Sequence, residues 1–280
     1  MMSKLPLSGE QVARFQSEGY LICRGWFERE EMDLLLQTAR ADRQMLSHNF
    51  PVKDAAGRES RLSLWNHPGE DIYGMIARCR RVVDAMEQLL GGEVYHYHSK
   101  MMLKEPEVGG AWEWHQDYGY WYQNGCLLSD MASCLIAVDR ATKENGCLQL
   151  LKGSHRMGRI DHGRFGEQTG ADPERVGEAL KRFELVYFEA EPGDALFFHS
   201  NILHCSAPNV SPNPRWSLIC CYNTRENDPY KEHHHPRYTP LLKVDDSMIK
   251  KIGATGAGAN QDSFLDPARD RTTRAGKGDK

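Results

Sequence analysis

The spacing of apolar residues divides the chain into a helical first third and a strand-rich remainder. Ser8 to Glu18 reads as a short helix, with Ser8 as its cap, Gln11 completing a capping box and Gly19 suiting its end. Tyr20 to Cys23 follows as a strand. Met32, Leu35, Leu36 and Ala39 recur at helical spacing and predict a second helix from about Glu28 to Leu46. Residues 47–70 hold Pro51, Gly57, Pro68 and Gly69 among polar positions, and read as a long loop, a solvated connection or a lid. A third helix spans Ile72 to Leu90, with Ile76, Val83, Met86 and Leu90 as its stripe and Gly91-Gly92 at its end.

After Gly92 the period falls to two. Val94 to Leu103 alternates by side, and the stretch around His115, Met131 to Val138, and Cys147 to Leu151 read as further strands. Asn145-Gly146 is a turn signal between the last two. Residues 156–172 are rich in glycine and charge and read as a loop, and Pro173 to Arg182 as a short helix with proline in its first turn. Four strands then crowd together: Phe183 to Phe188, Ala195 to His199, Leu203 to Ser206 and Arg215 to Tyr222. Helices first and short strands afterwards predict a mainly β fold with flanking helices, a jelly roll or double-stranded β-helix of cupin-like shape. One domain is expected over 1–252. Residues 253–280 have few apolar side chains and read as a loose tail.

Charge narrows the partners. The 35 basic and 39 acidic residues give a net −4, which offers no field for nucleic acid or an anionic membrane. No apolar run is long enough to span a bilayer, and Met1 to Pro6 lacks the apolar core of a signal peptide. A cytoplasmic protein acting on a small molecule is expected. None of the eight cysteines forms a Cys-X-X-Cys pair, so they read as buried, reduced thiols and not as a zinc site.

The candidate chemistry begins at Trp112-Glu113-Trp114-His115-Gln116-Asp117. On a strand, His115 and Asp117 point to one face. A second histidine completes the two-histidine, one-carboxylate face that binds Fe(II) and leaves positions open. His155, His199 and His204 are the candidates, and His204 is best placed, after a turn, an apolar strand and a polar corner. Arg215 opens an apolar strand eleven residues on (215 − 204 = 11), and a guanidinium there grips a carboxylate through two parallel hydrogen bonds. Ser206 lies two beyond His204 and faces the same way. A dicarboxylate that chelates the metal at one end and meets Arg215 at the other accounts for these groups together. By strand parity Trp112 and Trp114 face away from the metal. His233-His234-His235, followed by Pro236, reads as an ordered loop over the barrel and not as a second metal site.

The pieces Trp114-His115-Gln116-Asp117, Asn145 to Arg156, and Pro192-Gly193-Asp194 through His204-Cys205-Ser206 to Arg215 resemble the phytanoyl-CoA dioxygenase superfamily of Fe(II)/2-oxoglutarate oxygenases, which includes ectoine hydroxylase. The resemblance covers roughly residues 8–240. It implies that His115, Asp117 and His204 bind Fe(II) and form the catalytic centre. It implies that Arg215, Ser206 and Lys100 contact 2-oxoglutarate, and that Trp121, His98 and Tyr118 lie near the substrate. Ectoine hydroxylase has glutamine where His98 stands and arginine where Lys100 stands. The implied reaction takes O2, hydroxylates an unactivated C–H bond and releases succinate and CO2. Because Asp117 is present, hydroxylation is implied over halogenation. Desaturation or cyclisation at the same centre, or a non-catalytic metal-binding jelly roll, are the alternatives.

Overall fold

The computed structural model describes residues 5–165, 167–259 and 263–266. Thirteen strands are found there: β1 (Tyr20–Cys23), β2 (Phe50–Lys53), β3 (Glu59–Trp65), β4 (Val94–Lys104), β5 (Trp112–His115), β6 (Met131–Ala137), β7 (Leu148–Leu151), β8 (His162–Phe165), β9 (Gln168–Ala171), β10 (Leu185–Phe188), β11 (Ala195–His199), β12 (His204–Ser206) and β13 (Arg215–Thr224). The α-helices are α1 (Gly9–Glu18), α2 (Arg29–Ala41), α3 (Arg43–Ser47), α4 (Ile72–Arg78), α5 (Arg80–Leu90), α6 (Asp117–Trp121), α7 (Pro173–Arg182) and α8 (Met248–Gly253).

A seven-stranded antiparallel sheet, in the order β1-β11-β6-β13-β4-β3-β2, faces a four-stranded sheet in the order β10-β7-β12-β5. This is the expected jelly roll. Alternation along the central strands sorts its two cores. Leu218, Cys220 and Tyr222 of β13 join the helices in the outer core, while Ile219 and Cys221 face the inner one. On β11, Ala195 and Phe197 go outward and Leu196 and Phe198 inward.

The capping box of α1 forms as expected, with the Gln11 amide donating to Ser8 Oγ and the Ser8 amide to Gln11 Oε1. Two helices are each broken where one was expected. Asp42 is extended and caps α3, its Oδ1 accepting the Met45 amide at 2.9 Å, so side-chain capping overrides the apolar period that runs through it. Cys79, also extended, separates α4 from α5.

Residues 47–70 are largely a hairpin, not a lid loop. β2 and β3 pair from Phe50↔Leu62 to Lys53↔Glu59 and extend the edge of the large sheet. Asp54 builds their turn by accepting the amides of Ala56 and Arg58. The stretch 156–172 likewise contains the β8–β9 hairpin. Of the stretch expected to be a loose tail, 253–259 and 263–266 are described, and they lie on the domain. The Leu265 amide donates to the Leu64 carbonyl at 2.8 Å, and Phe264 stacks on His48 with ring centroids 4.4 Å apart. Two apolar residues inside a polar stretch suffice to dock it. Residues 267–280 lie outside the described residues. No helix among the described residues is long and apolar enough to cross a membrane.

Candidate active site

His115 ends β5, and His204 begins β12 directly opposite it in the ladder. Asp117 was expected on the same strand as His115 but is the first residue of α6. Gln116 between them is still extended (φ −115°, ψ 135°), so the i, i+2 relation survives. The Gln116 side chain points the other way and is fully engaged. It donates to the carbonyls of Gly158 and Asn201 and accepts the Ile160 amide, which pins the corner.

The ligand atoms of His115, Asp117 and His204 all lie within 4.8 Å of one another, and all three side chains are buried. Both Nε2 atoms are 3.9 Å from Asp117 Oδ1. Each imidazole turns its Nδ1 to a backbone carbonyl, His115 to Glu113 at 2.7 Å and His204 to Ile202 at 3.0 Å. A carbonyl only accepts, so each Nδ1 carries the hydrogen and each Nε2 lone pair is free. Burial holds both rings below the usual histidine range, in the neutral form a metal needs. Asp117 Oδ2 accepts from Ser133 Oγ at 3.0 Å, leaving Oδ1 for the shared point. The donor set, its tautomers and its braces fit a divalent iron ion with open positions.

Two cavities meet at this point. The smaller is lined by His115, His204, Ser206, Arg215 and Lys100 among apolar side chains. Arg215 is buried; it donates to the Gly146 carbonyl at 2.8 Å and to Ser217 Oγ at 3.2 Å, while its Nε has no partner. Burial pulls its pKa down to about 10. No carboxylate pairs with it among the described residues, so a ligand carboxylate has a charge to meet there. Lys104, which sequence reasoning missed, donates to Ser206 Oγ at 2.8 Å and to the Ala207 carbonyl. Burial, with Arg215 beside it, holds the Lys104 ammonium well below the usual lysine range. The sequence signal for it was a lysine directly after the apolar run Met101-Met102-Leu103.

The larger cavity is lined by His98, Lys100, Trp112, Tyr120, Trp121 and His235 over the metal ligands, with β2 and β9 at its sides. Lys100 therefore lines both cavities. Tyr118 lines neither. Its hydroxyl donates to the carbonyls of Cys126 and Leu127, and Tyr120 from the same helical turn stands at the cavity in its place. Trp112 was expected to face away and does not. Ser206↔Trp112 and His204↔His115 are paired, so β5 has two residues where β12 has one. That bulge turns Trp112 to the same side as His115. Trp114 packs away from the metal ligands, as parity requires. A second bulge, at Tyr97, lies between the pairs Cys221↔His98 and Tyr222↔His96, and it puts the Tyr97 ring on the inner side together with His98 and Lys100.

The remaining histidines do not join the triad. His155 bonds the Gln16 carbonyl at 3.1 Å, and His199 Nδ1 accepts the Asn201 amide at 3.0 Å. His233, His234 and His235 form no metal cluster among the described residues.

The profile of the phytanoyl-CoA dioxygenase family (PhyH) matches residues 15–217. The chain belongs to this family. It is an Fe(II)/2-oxoglutarate-dependent dioxygenase of a hydroxylase family, and Fe(II), 2-oxoglutarate and O2 are its cofactors and co-substrates. L-proline trans-4-hydroxylase of Streptomyces griseoviridis is 32% identical over 197 residues, 65% of this chain and 72% of that protein. Ectoine dioxygenase of Halomonas elongata is 28% identical over 243 residues, 80% and 73% of the two chains. The crystal structure of EctD from S. alaskensis with bound Fe superposes with a TM-score of 0.73 at 24% identity, covering 88% of this chain and 90% of that one. At that identity the likeness shows the shared fold.

Proposed function

We propose that His115, Asp117 and His204 hold the Fe(II), that Arg215 and Ser206 take the far carboxylate of 2-oxoglutarate with Lys100 beside it, and that the larger cavity holds a small, ring-sized polar metabolite which is hydroxylated at a saturated carbon. The observation that carries this reading is the meeting of three converging, buried donors with a buried guanidinium that has no carboxylate. The bound metal and co-substrate supply the activation of O2. The chain's own part is to bind, orient and shield. Arg215 and Ser206 fix the direction in which the dicarboxylate enters, and Lys104 holds the Ser206 hydroxyl in place. Trp112, Tyr120 and Trp121 exclude water from the side where the substrate carbon lies.

Size supports a metabolite over a macromolecule, since the cavity is enclosed by β2, β9 and the 233–235 loop. The names of the relatives, L-proline hydroxylase and ectoine dioxygenase, support a compact nitrogenous ring. His98 and Trp121 would line the substrate. With eight buried free thiols, we place the protein in the reducing cytoplasm.

The test is an anaerobic Fe(II) titration with and without 2-oxoglutarate, followed by visible absorbance, and then O2-dependent succinate release with L-proline and with ectoine. A charge-transfer band requiring both components, absent in Asp117→Ala and His204→Ala, is expected, and so is a product carrying one added oxygen atom. If iron binds but 2-oxoglutarate adds no band, the Arg215 assignment fails.

A further inference from the structure

The histidine triplet that sequence reasoning set aside as an ordered loop sends one member into the larger cavity. His235 lies flat against His98, with ring centroids 4.5 Å apart and planes at 19°, and leans on Tyr97 at 4.7 Å. Asn66, just beyond β3, decides which of its nitrogens carries the hydrogen. Asn66 Nδ2 donates to the His234 carbonyl at 2.6 Å. A carbonyl cannot donate, so the amide nitrogen must face it and Oδ1 must face His235 Nδ1, 2.8 Å away. Oδ1 cannot donate either, so the hydrogen sits on His235 Nδ1. Burial, with His98 beside it, keeps the ring neutral by holding it well below the usual histidine range. Nε2 is left with a lone pair in a ring that lines the cavity, and no hydrogen bond to it exists among the described residues. His98 makes no hydrogen bond there either, and its Nδ1 is sealed without a partner.

We propose that His235 is a specificity-determining residue whose Nε2 lone pair, aimed by Asn66, accepts an N–H from the substrate, so that the enzyme selects a small zwitterionic amino acid. This rests on the reading of the larger cavity as the substrate pocket and adds the substrate's chemistry to it. The rings of Trp112, Tyr120 and Trp121 around the same space favour a positively charged nitrogen over a hydroxyl. The cavity already contains the Lys100 ammonium, which has no ion pair among the described residues. The co-substrate carboxylate beside Lys100 is shared with Arg215, so a substrate ammonium placed near Lys100 gains from a carboxylate of its own, as in an amino acid. Asn66 is a positioning residue: it touches no substrate and acts through the His235 ring.

The test uses the full chain labelled with 15N-histidine. In the metal-free protein, long-range 1H–15N spectra read the tautomer directly. The Nδ1–H form is expected for His235, with its Nε2 at the shift of an unprotonated ring nitrogen. Asn66→Ala is expected to bring in the Nε2–H form. Finding Nε2–H in the unmodified chain overturns the proposal, whatever the iron chemistry does. The protein loaded with Zn(II) and 2-oxoglutarate is then titrated with L-proline, L-pipecolate and ectoine, and with cyclopentanecarboxylate, which keeps a ring and a carboxylate but has no N–H. At least one of the three nitrogen compounds should move the His235 Nε2 resonance, and cyclopentanecarboxylate should not. The affinity of the nitrogen compound that moves it should fall about tenfold or more in His235→Phe, and by a similar factor in Asn66→Ala. A shift from none of the three, or an equal one from cyclopentanecarboxylate, overturns the assignment. The tautomer is read without metal and turnover without labels, so a failure of this inference is distinguishable from a failure of the oxygenase reading.

Discussion

At the scale of single residues, Arg215 and Ser133 give the sharpest expectations. Arg215 is a buried cation that no carboxylate pairs with among the described residues, and a burial of that kind costs stability. Arg215→Met should raise the KM for 2-oxoglutarate by about 100-fold, in line with a lost charge-assisted pair. The same change should leave the metal-free melting temperature unchanged or higher. A large drop in that temperature would mean the guanidinium is structural. Ser133→Ala frees Asp117 Oδ2 and should weaken Fe(II) binding by roughly 10- to 100-fold, as read by competition with a chelator. The triad and Arg215 were legible in the sequence because chemistry and spacing coincide over short stretches. Lys104 and His235 were not. Their positions are set by hydrogen bonds to Ser206 of β12 and to Asn66, and neither neighbour is close in sequence.

Among elements, the strands and most helices followed from period, caps and turn residues. The β2–β3 and β8–β9 hairpins were hidden because their strands are four to seven residues long and mixed in polarity. The bulges were hidden for another reason: a bulge breaks the parity rule by which facing is read, as Trp112 demonstrates. The turn at Asn145-Gly146 was visible, yet its task was not. Gly146 has φ +75°, its carbonyl holds Arg215, and a Cβ there would sit 2.2 Å from the Ala207 carbonyl oxygen. Gly146→Ala should therefore cost about 1–3 kcal/mol in urea unfolding and raise the KM for 2-oxoglutarate, because the backbone that carries Arg215's partner must move.

Across the whole molecule, buried neutral histidines couple the fold to pH. Burial lowers His96 to about 3 and His199 to about 4, and holds His98 and His235 well below the ordinary range. The unfolded chain takes up a proton on each near pH 6.5, while the folded chain does not. Their contribution is therefore complete above that pH and is lost as the pH falls, by up to about 1.4 kcal/mol per pH unit for each group. The urea midpoint of the metal-free protein should be flat above pH 7 and drop steadily from 6.5 to 5. A midpoint that holds constant to pH 5 would mean that these rings protonate in place.

The bulge at Tyr97 has a consequence for how such a pocket is inherited. Tyr97 is the extra residue between His96 and His98, and its ring packs against Trp121 and His235 at 5.5 and 4.7 Å. Removing that one residue would restore a plain ladder in which His98 and Lys100 still face inward, so the His115, Asp117 and His204 cluster would be kept while Trp121 and His235, which line the larger cavity, lost the ring packed behind them. A single three-base deletion would thus reshape the packing behind the larger cavity, a step that no series of point substitutions reproduces.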